Sequence, residues 1–118
     1  MHGPKLLDHF LSPRNVGELP LPAITVEAMN PACGDILRLS ARVEAGRFVE
    51  LRFKTRGCTA SIAASSALTE ILWGLSRVEA AAISPSDVEN AVGGLPPESK
   101  HAATLCIEAV KALLMRVS

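Results

Sequence analysis

Tyrosine is absent from this chain, and aromatic residues make up only 3% of it, so any interior must be built from aliphatic side chains. Neither sign of charge predominates, because twelve Lys and Arg balance twelve Asp and Glu. No like-charge block forms an arm or tail, which removes the basic footprint that a phosphate backbone requires; nucleic acid is not expected as a partner. No apolar run approaches the roughly 20 residues needed to cross a bilayer. At the N-terminus, His2, Pro4, Lys5 and Asp8 leave no room for the apolar segment of a secretory signal. A cytoplasmic protein without membrane contact is therefore expected. Cysteine is scarce and odd in number, three in 118 residues, so complete disulfide pairing is impossible. In a reducing compartment these thiols are core hydrophobes, metal ligands or reactive groups.

What is present suffices for one domain. Hydrophobic residues make up 48% and charged residues 20% of the chain, a composition that supports a packed core. The expectation is a single domain over residues 1–118. Leu6, Leu7, Phe10 and Leu11 at helical spacing, stopped by Ser12-Pro13, predict a short first helix. Residues 14–22, with two Pro and one Gly, predict a loop. Ile24–Met29 and residues 36–43 alternate as strands, and residues 44–47 form a hairpin connection to a returning strand at 48–54. The second half predicts helices: one over residues 61–75, rich in small residues, a short one over 80–83 and another opening at Ser84-Pro85. The Ser76-Arg77-Val78-Glu79 stretch fits a capping box, and Pro85 is tolerated in a first turn. After the break at Gly93-Gly94-Leu95-Pro96-Pro97, a last helix over about residues 98–117 carries Leu105, Ala109, Leu113 and Val117 on one stripe. Strands followed by helices give an α+β class: a three-stranded antiparallel sheet, helices on one face and a long C-terminal helix.

Three places carry candidate ligands. In Asn30-Pro31-Ala32-Cys33-Gly34-Asp35, Cys33 and Asp35 flank a glycine, so one loop can aim both side chains at a point. Thiolate and carboxylate together suit zinc or iron, although turns of this composition also occur without a metal. Cys58 follows Gly57 where a strand ends and a helix begins, and a helix N-terminus favours thiolate over thiol. Lys54 and Arg56 add positive charge nearby. Cys58 is read as either a reactive or a buried thiol; the small residues beyond it mainly permit close helix packing, although their hydroxyls could donate to a sulfide or persulfide. His101 and Cys106 lie on the last helix, about 140° apart around its axis. Taken alone, His101 fits a solvated surface residue and Cys106 a buried thiol beside Leu105 and Ile107. Two thiols, a carboxylate and an imidazole at element edges nevertheless make up the donor set that zinc or a small cluster needs.

These residues also fall in a known order. Leu7-Asp8-His9-Phe10 with Ser12-Pro13-Arg14-Asn15-Val16-Gly17, then the Asn30–Asp35 turn, resemble the first motifs of the NifU N-terminal/IscU-like family of iron–sulfur cluster assembly scaffolds. Phe53-Lys54-Thr55-Arg56-Gly57-Cys58 with the Ala- and Ser-rich run after it resembles the next. Leu95-Pro96-Pro97, His101 and Glu108-Ala109-Val110-Lys111 resemble the last. The resemblance implies an IscU/SufE-like fold and a site formed by Cys33, Asp35, Cys58 and a pair on the final helix. It implies a scaffold rather than an enzyme, one that takes sulfur from a cysteine desulfurase, holds a [2Fe–2S] cluster or iron and passes the cluster to recipient proteins. Zinc can occupy the same place in such proteins. Asp35 would keep the cluster labile, since carboxylate is a poorer ligand for its iron than thiolate.

Two departures qualify that expectation. In the family a Cys follows the helix His, whereas this chain has Ala102; the helix thiol, Cys106, comes one turn later. Cys106 shares a face with position 102 and leans toward it, but the axial offset is about 6 Å. Either Cys106 supplies a third thiol or it belongs to the core and the site is Cys33, Asp35, Cys58 and His101. The prolines are followed by Glu98-Ser99-Lys100 instead of the family's Val-Lys, which argues against docking of the dedicated chaperone. The alternative function is a zinc-dependent, SufU-like sulfurtransferase that accepts persulfide from the desulfurase. That branch carries an insertion before the last helix and lacks the helix His, so the scaffold reading leads; a third reading is a binding or structural domain with permanent zinc.

Overall fold

The computed structural model describes residues 3–117. Helix α1 (Pro4–Leu11) is followed by strands β1 (Ile24–Met29), β2 (Ile36–Glu44) and β3 (Arg47–Arg56), then by helices α2 (Thr59–Leu72), α3 (Arg77–Ala81), α4 (Pro85–Ala91) and α5 (His101–Arg116), with a 3₁₀ turn at Pro97–Ser99. The three strands form one antiparallel sheet in the order β1-β2-β3, as the α+β pattern predicts. The β2–β3 connection turns on Ala45 and Gly46, both at positive φ, the backbone of a two-residue hairpin whose twist matches its strands.

Register settles which side chains face inward. Leu39 pairs with Val26 and Phe53, and Ala41 with Leu51; all are buried. The alternate row of Glu27, Arg38 and Lys54 points outward, because successive strand residues face opposite sides. On the inner face, α5 packs over β1 and β2, α2 packs over β3, and the two helices pack against each other. Leu105, Ala109 and Leu113 are buried, as their four-residue spacing predicts, and Ala102, Cys106 and Val110 bury a second stripe beside them.

Helix α2 begins two residues earlier than its periodicity suggests and ends three earlier, at Trp73-Gly74, where Gly74 takes φ 86°. Only a residue without Cβ adopts that conformation readily. Both halves of the Ser76/Glu79 capping box form, and the helix starts at Arg77 rather than at residue 80, since a capping residue stands immediately before its helix. Ser84 caps α4 in the same way through Asp87.

Helix α2 has almost no polar face. It is hemmed in by β3, α5, α4 and α1, so nearly every residue is buried and small side chains admit the neighbours. Its buried hydroxyls are all engaged. Ser65 donates to the Ser61 carbonyl at 2.7 Å and accepts from Thr55 Oγ1 at 2.8 Å. Ser66 Oγ lies 2.8 Å from His9 Nδ1 and accepts the Arg14 N–H at 2.9 Å. Thr69 accepts from Asn15 Nδ2 at 3.0 Å. Asn15 itself sits at φ 61° and hydrogen-bonds β3 at Phe53, a conformation that Asn tolerates better than most residues. One helix thus pins α1, the following loop and β3 around the end of the molecule described next.

Candidate metal centre

Four element ends converge: the start of β2, the end of β3 and the N-termini of α2 and α5. The β1–β2 turn is closed by the Asn30 N–H donating to the Asp35 carbonyl at 2.9 Å and the Gly34 N–H donating to the Asn30 carbonyl at 2.7 Å. The Asn30 side chain accepts from the Ala32 N–H at 2.9 Å, an Asx turn. Gly34 at φ 76° provides the reversal between Cys33 and Asp35. The turn leaves Cys33 exposed and Asp35 only 8% exposed.

Cys58 occupies the N-cap position of α2 with its side chain free of capping duty, and its thiol is exposed. His101 is the first residue of α5. Its Nε2 lies 3.5 Å from Asp35 Oδ2 and 3.6 Å from Cys58 Sγ. One ligand atom each from Cys33, Asp35 and His101 lies within 4.8 Å of the others. The structure therefore brings Cys33, Asp35, Cys58 and His101 together.

Donor identity and spacing fit a small metal centre. Atoms bound at about 2.0–2.3 Å to a tetrahedral ion stand roughly 3.3–3.8 Å from one another, which is the range of the His101–Asp35 and His101–Cys58 separations. Two sulfurs, one nitrogen and one oxygen form a borderline-soft set suited to zinc or iron. Burial disfavours the charged form of Asp35, but hydrogen bonds from Ser61, Cys33 and Cys58 outweigh it and hold the carboxyl below its usual range. Asp35 is thus an anion at neutral pH, the form in which it can ligate.

Cys106 is not brought to this group. It is fully buried, and burial pushes its thiol up to about 12, against the pull of a hydrogen bond with Ser65. A thiol ligates as thiolate, the form that burial in the hydrophobic core disfavours here. Ala102 is also fully buried, so the helix face that bears both positions turns into the core.

Sequence reasoning missed two residues. Ser61 Oγ donates to Asp35 Oδ2 at 2.6 Å and lies 3.4 Å from Cys58 Sγ. Gly57 passes so close to the carboxylate that a Cβ there would stand 2.6 Å from Asp35 Cγ and 2.7 Å from Oδ2. The signal for Ser61 was its position three residues after Cys58, which places both on one side of the first helical turn. The signal for Gly57 was a glycine at a strand end next to a candidate ligand. Neither identifies Asp35 as the partner, because Asp35 reaches the site from another element.

An antiparallel three-stranded sheet, with helices on one face and a Cys/Asp/Cys/His group at one end, defines the class. The chain belongs to the NifU-like N terminal domain family, which it matches over residues 1–116. It is 45% identical over 111 residues to the bifunctional protein NifU/MnmA of Rubrobacter xylanophilus, an alignment covering 92% of this chain and 23% of that protein. It is 41% identical over 118 residues to the iron-sulfur cluster assembly scaffold protein IscU of Aquifex aeolicus, covering 95% and 75%. A crystal structure of a putative iron-sulfur cluster assembly scaffold protein for the SUF system from Fervidobacterium islandicum superposes with TM-score 0.76 at 16% identity, covering 93% of each chain; that likeness establishes the fold. Among the described residues no helix is long and apolar enough to cross a membrane.

Proposed function

We propose that the chain is a scaffold on which a [2Fe–2S] cluster is assembled from iron and desulfurase-derived sulfur and then passed to recipient proteins. The observation that carries this reading is the meeting of Cys33, Asp35, Cys58 and His101 with both cysteines open to solvent. A resident structural metal favours closed ligands, whereas cargo that must enter and leave needs an accessible site. The family and the relatives named scaffold proteins support it. The site residues are Cys33, Asp35, Cys58 and His101, with Cys106 in the core. Asp35 supplies the weak arm: an oxygen donor among sulfurs holds iron less firmly than a third thiolate would. Partners are a cysteine desulfurase and cluster-accepting proteins. Glu98-Ser99-Lys100, in place of the Val-Lys that follows the prolines in the family's chaperone-binding form, argues against docking of the dedicated chaperone.

A second reading is favoured by the Cys/Asp/Cys/His donor set with His101 3.5 Å from Asp35 and 3.6 Å from Cys58, which also suits zinc: a sulfurtransferase. There a site thiolate would attack the outer sulfur of the desulfurase persulfide, breaking the S–S bond and releasing the desulfurase cysteine as thiolate. Anaerobic reconstitution with iron, cysteine and a desulfurase separates the two. A visible-absorbing cluster that a chelator removes supports the scaffold. Colourless, stoichiometric zinc with catalytic sulfur turnover supports the transferase, and neither outcome overturns both.

A further inference from the structure

We propose that Ser61 is a positioning residue for the metal centre: with the bare backbone of Gly57, its hydroxyl clamps the Asp35 carboxylate in the orientation that an ion or cluster requires. The inference rests on the assignment of Cys33, Asp35, Cys58 and His101 as ligands and adds two residues that hold one of them.

The contact has the properties of a built support. Ser61 is fully buried and Asp35 nearly so, and their 2.6 Å separation lies in the range of a charge-assisted O–H···O⁻ bond. An ionised carboxylate only accepts, so the single Ser61 hydrogen is committed to Asp35. Ser61 belongs to the first turn of α2, which follows directly from Cys58 at its N-cap, so the same hydroxyl oxygen also touches Cys58 Sγ at 3.4 Å. Oxygen ligand and sulfur ligand thus share one reference point on a helix that is itself anchored to β3 and α1.

Gly57 forms the other jaw. Any side chain there would overlap the Asp35 carboxyl carbon and Oδ2, and even Asp35 Cβ would be only 3.0 Å from the added carbon. The requirement for glycine is one of space, because position 57 is not in the left-handed region. Asp35 immediately precedes β2, Gly57 immediately follows β3 and Ser61 lies in the first turn of α2. The carboxylate is therefore held by two elements other than its own. Groups that orient a metal ligand typically change affinity by about 10–100-fold when removed.

The test is a double-mutant cycle read by zinc affinity, using competition with a chromophoric chelator, with the melting temperature of the metal-free protein as the measure of folding. Ser61→Ala is expected to bind zinc about 10–100-fold more weakly than the parent, whereas Ser61→Ala added to Asp35→Ala changes affinity no further. Unchanged affinity in Ser61→Ala overturns the proposal. So does an equal loss in the Asp35→Ala background, because Ser61 would then be acting on the fold or the thiols. Should Ser61→Ala fail to fold, Gly57→Ala tests the opposite jaw. It is expected to weaken zinc binding in the parent and to do little further harm in an Asp35→Gly background, which removes the Cβ as well as the carboxylate, and equal harm in both backgrounds overturns the clamp. A parent protein that binds no zinc or iron at all would remove the ligand assignment itself, an outcome visible before any variant is made.

Discussion

Asp35 and Cys106 show how far chemistry at a single residue depends on what surrounds it. Both are buried, and burial alone would keep both neutral. Hydrogen bonds from three residues lower the Asp35 pKa against its burial, whereas burial in the core pushes the Cys106 thiol up to about 12 against the pull of a hydrogen bond with Ser65. The two cysteines at the site differ from Cys106 in exposure. Cys58→Ala is therefore expected to lose most bound zinc or iron, measured as metal per chain after anaerobic loading, while Cys106→Ala retains the parent stoichiometry. Metal loss in Cys106→Ala without loss of folded protein would place a ligand where the packing places a core side chain. The same pair marks a boundary of legibility. That Cys33, Asp35, Cys58 and His101 are ligand types at element edges can be read along the chain. Whether Cys106 joins them depends on the rotational setting of α5 against the sheet, which its own periodicity leaves open because Ala102 and Cys106 lie on a face as apolar as the neighbouring stripe.

Helix α2 decides the most about the surroundings of the site. Its small residues suggest helix packing, and its buried hydroxyls each turn out to tie down a different segment. The tie to α1 is sensitive to pH. Because Ser66 Oγ accepts the Arg14 N–H, its own hydrogen is available to His9 Nδ1, leaving the other ring nitrogen toward Glu70 at 3.5 Å. Burial and the Arg14 charge lower the His9 pKa, only partly opposed by Glu70 and Asp8. A base whose native pKa is lowered folds preferentially in its neutral form. Its contribution to stability is complete above the ordinary value of about 6.5 and is lost as pH falls toward the lower native value. Amide exchange in α1 is expected to accelerate as pH drops through that window, after correction for intrinsic rates. His9→Gln should flatten the dependence; an unaltered profile in that variant would show that another group sets it. The start of α4 was legible from its cap at Ser84, whereas α3 begins at Arg77, directly after the recognised cap Ser76, and not at residue 80. The boundary was displaced where α2 ends, since a glycine at positive φ and the bridge between Arg47 and Ser76 stop the helix before its apolar pattern does.

The whole molecule is one sheet covered on one face, so stability and site geometry share a core. Leu39 lies in the central strand, fully buried between β1 and β3. Truncating it to Ala is expected to cost about 2–5 kcal/mol, measured by urea denaturation of the metal-free protein. Metal binding by the fraction that remains folded should be unchanged, because Leu39 pairs across the sheet with Val26 and Phe53 and with no ligand. Local pattern and chemistry, carried by the sequence alone, determined the order of strands and helices, the capping residues Ser76 and Ser84 and the residue types able to bind metal. These follow from periods of two and 3.6 residues and from contacts between near neighbours. Only the tertiary structure decided that Asp35, Gly57, Ser61 and His101 meet, and that Cys106 stays behind in the core. Those outcomes depend on where four element ends come to rest relative to one another, and packing between elements distant in the chain sets that position.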